Sequence, residues 1–267
     1  MQTKVSDSPT SIREINSLPP DQRENIYRTL LPDWLQTRYE IDLTTLTVDG
    51  HRVVHFRAPT GSRAAEIVVK RRADDLDPML YLNIADTFNN QIMVLMLIAN
   101  DPDAPRFNID VDEHGNSTTL GTTGRNKAAE LSAMAAGLAP GQVRRGLRFF
   151  RNALPLFEQF IQRLGHDMFL IEPLAYHNAI MFERYGFGYI RGHRDMEQIH
   201  TEFQPGGMLH AKLSPDKPFR QPDAWKTVRG RSWAIHDGIL GHPFTGFQMY
   251  KLIGRHLGIN TFPDAVW

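Results

Sequence analysis

The sequence predicts an α+β protein built on a mixed, largely antiparallel sheet flanked by helices. Three observations lead there. Between residues 38 and 123 apolar residues recur every second position, broken by turn signals. After Gly124 the spacing lengthens to that of helices. Strand-like runs then reappear between the later helices.

Residues 1–19 are polar and read as a flexible lead, and 20–267 as a single domain. The run "PDQRENIYRTLLPDWL" (20–35) spaces Ile26, Leu30 and Trp34 as a helix does. "YEIDLTTLTV" and "HRVVHFRA" flank Asp49-Gly50, a hairpin signal, and "AAEIVVKR" is a further strand. "MLYLNIADT" and "QIMVLMLIAN" flank Asn89-Asn90. The second is continuously apolar, which predicts a central strand buried on both faces. "RFNIDVD" and "NSTTLG" close over His114-Gly115. Beyond this antiparallel half (38–123), "RNKAAELSAMAAGL" is helical and stops near Gly137. "QVRRGLRFFRNALPLFEQFIQRLG" carries an apolar stripe that Pro155 is expected to kink. "MFLIEPL", "AYHNAIMFERYG" and "FGYIRG" read as strand, helix and strand, and "RDMEQIHTEF" as another helix. The extension 204–267 holds a Pro/Gly-rich loop, "SWAIHDGIL" and an expected last helix near 246–257.

Composition limits the function classes. Lys plus Arg number 30 and Asp plus Glu 30, so no whole-molecule field draws the chain to nucleic acid or anionic membrane. No run approaches about 18 apolar residues, and the N-terminus lacks the order of a signal peptide. The expectation is a cytoplasmic protein acting on a small molecule, with no membrane or nucleic-acid partner. Cysteine is absent, which excludes thiolate nucleophiles and Cys-held metals. Eight of the 11 histidines fall between His166 and His256, so chemistry is sought in that half.

Residues 138–191 resemble the core of the GNAT superfamily of acyl-CoA-dependent N-acyltransferases. The residues that carry the resemblance are "PGQVRRGLR" (140–148), "LGHDMFLIEPL" and "FERYGFGYIRG". In that family a P-x-x-R-x-x-G-x-G loop opens a helix whose N-terminal amides hold the cofactor pyrophosphate, and strand, helix and strand follow. Orphan amides and the helix dipole favour phosphate at such a place. The resemblance implies transfer of an acyl group from acyl-CoA to a small amine. Arg144, Arg145 and Gly146 would hold the pyrophosphate. Glu172 would deprotonate the amine, and Tyr185 or Tyr176 would protonate the leaving thiolate. The chain departs from the pattern at three positions: Val143 replaces the loop arginine, Arg148 the second glycine, and Phe182 the usual acidic tyrosine. Those departures favour a further alternative, a non-catalytic small-molecule-binding protein with a decayed cofactor loop.

A second constellation competes. "HRDMEQIH" sets His193, Glu197 and His200 on one face of a helix. Two imidazoles and a carboxylate are the ligand set of catalytic zinc or non-haem Fe(II), so a hydrolase or oxygenase is the alternative reading. Glu172, His177 and Glu183 would converge on it across the short strand 187–191. Gly192 would break the helix, and Met196 and Ile199 give it an apolar side. "HDG" (236–238) is no dyad, because adjacent residues do not face each other. The basic runs "KRR" (70–72) and "RGR" (229–231) are short. "PDAVW" would tuck Trp267 into an apolar seam, which leaves a homodimer open.

Overall fold

The computed structural model describes residues 8–118 and 124–267. The fold is α+β. Among the described residues there are eight α-helices, a two-stranded sheet and a seven-stranded mixed sheet, mostly antiparallel. The chain divides into two compact units. One comprises Met1–Pro102, Gly146–Ile171 and Lys251–Arg255; the other comprises Asp103–Arg145, Glu172–Tyr250 and His256–Trp267.

In the first unit, α1 (Ile12–Ser17) occupies part of the expected flexible lead. Ser11 caps it, and Ile12 and Ile15 are fully buried. Both oxygens of Asp86 accept from its first amides, Ile12 N and Arg13 N, each at 2.8 Å. Asn16 donates to the Ser62 and Ala64 carbonyls and accepts from the Tyr27 hydroxyl. A polar composition concealed a docked helix because its two anchors are so few. Asp86→Ala is expected to lower unfolding free energy by about 1–2 kcal/mol, the range for losing a charged N-terminal cap. Amide exchange should accelerate selectively in α1; unchanged α1 protection would show the cap to be idle.

The single helix expected over 20–35 is instead two, α2 (Pro20–Arg28) and α3 (Trp34–Tyr39), separated at Pro32. Proline cannot continue the amide ladder, and the residue before it avoids the helical region. Asp49-Gly50 makes the expected hairpin between β1 (Thr47–Val48) and β2 (His51–Arg52), both turn residues at positive φ. The strands β3 (Val54–Arg57), β4 (Ala64–Val69), β5 (Leu80–Asp86) and β6 (Ile92–Ala99) then pair successively antiparallel. The helix α5 (Phe150–Arg163) and the strand β7 (Met168–Ile171) complete a crossover connection, since β7 runs parallel to β6. Phe157, Phe160 and Ile161 form the buried face of α5. Phe157 meets Phe169 edge-on at 4.8 Å, and Phe160 meets Tyr27.

The second unit contains α4 (Lys127–Ala135), α6 (Tyr176–Arg184), β8 (Gly188–Arg191), α7 (His193–Phe203) and α8 (Val228–His236). Gly192 caps α7 rather than breaking it. Gly186 turns α6 into β8 at φ +80°, and a Cβ there would lie 2.7 Å from the His256 Cα, so only glycine fits. Ile109, Ala133, Leu138 and Val143 form one apolar cluster. Trp233 is 1% exposed and donates to the Leu138 carbonyl.

The helix expected near 246–257 is a strand, β9 (Gln248–Leu252), antiparallel to β8. Met249 and Lys251 alternate inward and Gly246 and Gly254, both at positive φ, bracket the segment, so the period is two. Strand order in the large sheet is β3-β4-β5-β6-β7-β9-β8. Of "NSTTLG", Thr119, Leu120 and Gly121 lie outside the described residues; the rest pairs as a bridge, Val111 with Ser117.

Candidate functional site

The first unit parts where β6 and β7 run parallel. Their register covers Met93 opposite Leu170 and Val94 opposite Ile171, and β7 then ends. Pro173 follows, and it cannot donate to a ladder. β6 continues to Ala99 without β7. Its pairing with β5 slips between Asn83 and Ile84, leaving Leu95 as the extra residue of a bulge. Leu95 is 41% exposed, contrary to the expectation that β6 is covered on both faces. The bulge turns the side chain out just where the β7 pairing stops. Asn100 donates to Met79 on the β5 side. By alternation, the N–H groups of Leu97 and Ala99 point away from β5.

The same edge receives the returning chain. Asn100 bridges Gly146, and Leu147 N–H donates to the Ala99 carbonyl at 3.4 Å. Arg148 then takes φ +54°, the left-handed region that a glycine occupies easily. This is the position where the family pattern has its second glycine. α5 opens on Phe149 with no side-chain cap and no acidic residue in its first turn. Arg151, exposed, is its second residue. No acidic residue of that turn opposes the positive end of the helix dipole.

The expected loop is not at the helix mouth as written. Residues 140–149 are irregular, and the helix expected to begin near Gln142 begins at Phe150. Val143 accepts from Phe107 N–H and is buried in the apolar cluster, so the residue at the family's arginine position serves packing. Arg144 donates to the Ala104 carbonyl at 2.6 Å, Arg145 is exposed, and Gly146 is held in the bridge to Asn100.

Glu172 is exposed directly after the last residue of β7. Tyr185 is half-buried at the C-cap of α6. Tyr176 is 1% exposed, and burial pushes its phenol up to about 12 although the Arg231 guanidinium opposes the shift.

His193 and Glu197 approach to 3.8 Å at the surface of α7. His200 is engaged elsewhere. Its Nδ1 meets Arg231 Nη1 at 3.1 Å and its Nε2 meets Gln204 at 3.1 Å. His177 is buried and shares a hydrogen bond of 2.9 Å with Ser232. Among the described residues no three His, Asp or Glu side chains stand together as a metal cage.

His177 and Glu183 of "AYHNAIMFERYGF" are spent inside the second unit. Glu183 is 2% exposed and accepts three hydrogen bonds: from the Tyr189 hydroxyl at 2.6 Å, the Thr261 hydroxyl at 2.7 Å and Thr261 N–H at 2.8 Å. Burial first, and then the Glu183 carboxylate, pushes the Tyr189 phenol far above its usual range, so it stays a donor. A second network surrounds Glu130. Arg125 and His236 both bond its carboxylate, while Asp237 takes Arg125 and Arg220. His236 and Asp237 thus serve different partners, as their adjacency requires.

The sequence reading missed Arg231, Ser232, Thr261 and Glu130. "RGR" drew notice only as a short basic run, yet Arg231 is fully buried. Its only local sign is the apolar flank "SWAI", which carries the whole turn of α8 inward.

Among the described residues no helix is long and apolar enough to cross a membrane. No family model, curated protein or solved structure matches the chain.

Proposed function

We propose that the chain binds an acyl-CoA-type donor and transfers its acyl group to a small amine. The observation that carries this is the parallel pairing of β6 with β7, which stops at Val94 while β6 runs on to Ala99, together with a first turn of α5 that has no side-chain cap. An extended amide-bearing arm would lie along the edge of β6 between the end of the β7 pairing and the returning chain, where the Leu97 N–H faces away from β5. The pyrophosphate would take the first-turn amides of α5, with Arg151 beside them. The sequence order α5, β7, α6, β8 is the helix–strand–helix–strand order the GNAT resemblance implies, and Arg148 holds the backbone shape of the glycine it replaces.

In this reading Glu172 takes the proton of the amine, directly or through water. The amine nitrogen attacks the thioester carbonyl, the C–S bond breaks, and the departing sulfur takes up a proton, the role the resemblance implies for Tyr185. The products are an amide and free CoA thiol. Tyr176 is left out of the reaction by its burial.

Thermal unfolding with acetyl-CoA tests binding, and thiol release over a panel of small amines tests transfer. Acetyl-CoA should raise the midpoint, because a ligand of the native state stabilises it. Arg151→Glu should weaken acetyl-CoA about tenfold or more, while the free protein is unchanged or slightly stabilised. An acidic side chain suits the first turn of an empty helix and repels a pyrophosphate there. No midpoint shift at millimolar acetyl-CoA, or an R151E variant that binds as the parent does, would refute the proposal.

A further inference from the structure

Arg231 sits on α8 with none of its surface exposed. Its Nε donates to the Trp225 carbonyl at 2.6 Å. Nη1 reaches His200 Nδ1 at 3.1 Å and the Tyr176 hydroxyl at 3.4 Å. The Phe262 ring lies over the guanidinium with its centroid 3.6 Å away, and the Phe203 ring at 5.2 Å. Nη2 is buried and has no hydrogen-bond partner among the described residues. Among the described residues no carboxylate forms an ion pair with Arg231.

That is an expensive arrangement. A buried charge normally has a counter-charge, and a buried donor an acceptor. Glu183, the buried carboxylate of α6, is committed to Tyr189 and Thr261. Desolvation draws the Arg231 pKa below its ordinary value, and Tyr176 only partly offsets it. His200 is also held below the usual imidazole range, by burial first and then by Arg231, with Asp264 opposing. Both groups respond as members of a site short of negative charge.

We infer that the Nη2 edge of Arg231, with the Tyr176 hydroxyl beside it, is a binding site for the carboxylate of a small molecule. A guanidinium presents a planar fork that matches a planar carboxylate. The Tyr176 hydroxyl accepts from Nη1 and retains its own proton to donate. The aromatic rings around the guanidinium favour a planar, singly charged group over phosphate, whose desolvation costs more. His200 is only half-buried, so the cluster reaches the surface at that residue. The site stands whether or not α5 holds a pyrophosphate, because it uses none of the same residues.

The test uses the full chain at constant ionic strength in chloride, with sodium acetate, sodium benzoate and inorganic phosphate as separate probes. A saturating carboxylate should raise the thermal midpoint by about 3 °C or more. In NMR titrations it should also move the His200 protonation midpoint upward, since it adds negative charge beside that ring. Arg231→Met and Arg231→Gln should abolish both responses. Tyr176→Phe keeps the ring and should weaken carboxylate binding about tenfold, which decides the matter if the Arg231 variants do not fold. The inference is overturned if neither carboxylate acts beyond chloride, if phosphate binds more tightly than both, or if R231M or Y176F responds as the parent does.

Discussion

Acidification from pH 6.5 towards 3 is expected to remove about 4 kcal/mol of stability through His177 alone. Burial first, and then the positive charges of Arg229 and His236, depress its imidazole to about 3. The unfolded chain titrates near 6.5, so between these values it binds a proton that the folded chain refuses. Stability therefore rises with pH through this window and is lost as pH falls. Urea unfolding at half-unit steps from pH 7 to 5 isolates the effect, because carboxylates begin to titrate only lower. Over that range the parent should lose about 2 kcal/mol. His177→Gln keeps a hydrogen-bonding group for Ser232 and should lose most of the slope. The remainder falls to His55 and His200, which are depressed in the same direction but less buried. An H177Q variant with the full parental slope would mean that the folded protein protonates this ring readily.

Glu183→Ala should cost about 4 kcal/mol in the same denaturation experiment, the scale for removing one partner of a buried charged network. Three donors lose their acceptor at once, and Thr261 N–H cannot rotate to find another. Glu183→Gln should cost about 1–2 kcal/mol, because both hydroxyls can turn to accept from the new amide while its oxygen keeps the backbone N–H. A loss below about 1 kcal/mol in E183A would mean that water replaces the carboxylate there. Within "FERYGF", Glu183 and Gly186 are accordingly architecture: Glu183 ties α6 to Thr261, and Gly186 makes the turn that follows.

Local pattern made the hairpin strands legible, because Asp49-Gly50 and Asn89-Asn90 combine turn chemistry with flanking period-two runs. The helix α6 and strands β7 and β8 were equally plain from their turn residues. What escaped was decided by tertiary partners. Nothing in "SIREINS" announces that Asp86 waits for its amides. Nothing in "QMYKL" reveals that Lys251 is 4% exposed and paired with Glu158 at 3.2 Å. The sequence pointed to the loop 140–148 and a helix opening near Gln142, but that helix opens at Phe150. The candidate site's present centre, the edge of β6 beyond the β7 pairing, depends on where β7 stops, and that is a property of pairing. His193, Glu197 and His200 share a helical face on paper, but α8 supplies the guanidinium that engages His200.

The bridge between Asn100 and Gly146 has an architectural consequence. The chain leaves β6 and returns within one rung of the ladder, after an excursion of more than forty residues. To β6 and α5, that excursion is a closed loop with its two stems side by side. Loop closure grows only logarithmically with length, so doubling it would add about 0.6 kcal/mol. Glu130 and Leu138 of that stretch bond His236 and Trp233 of α8, so a change in its length that leaves β6 and α5 in register must fall outside those contacts.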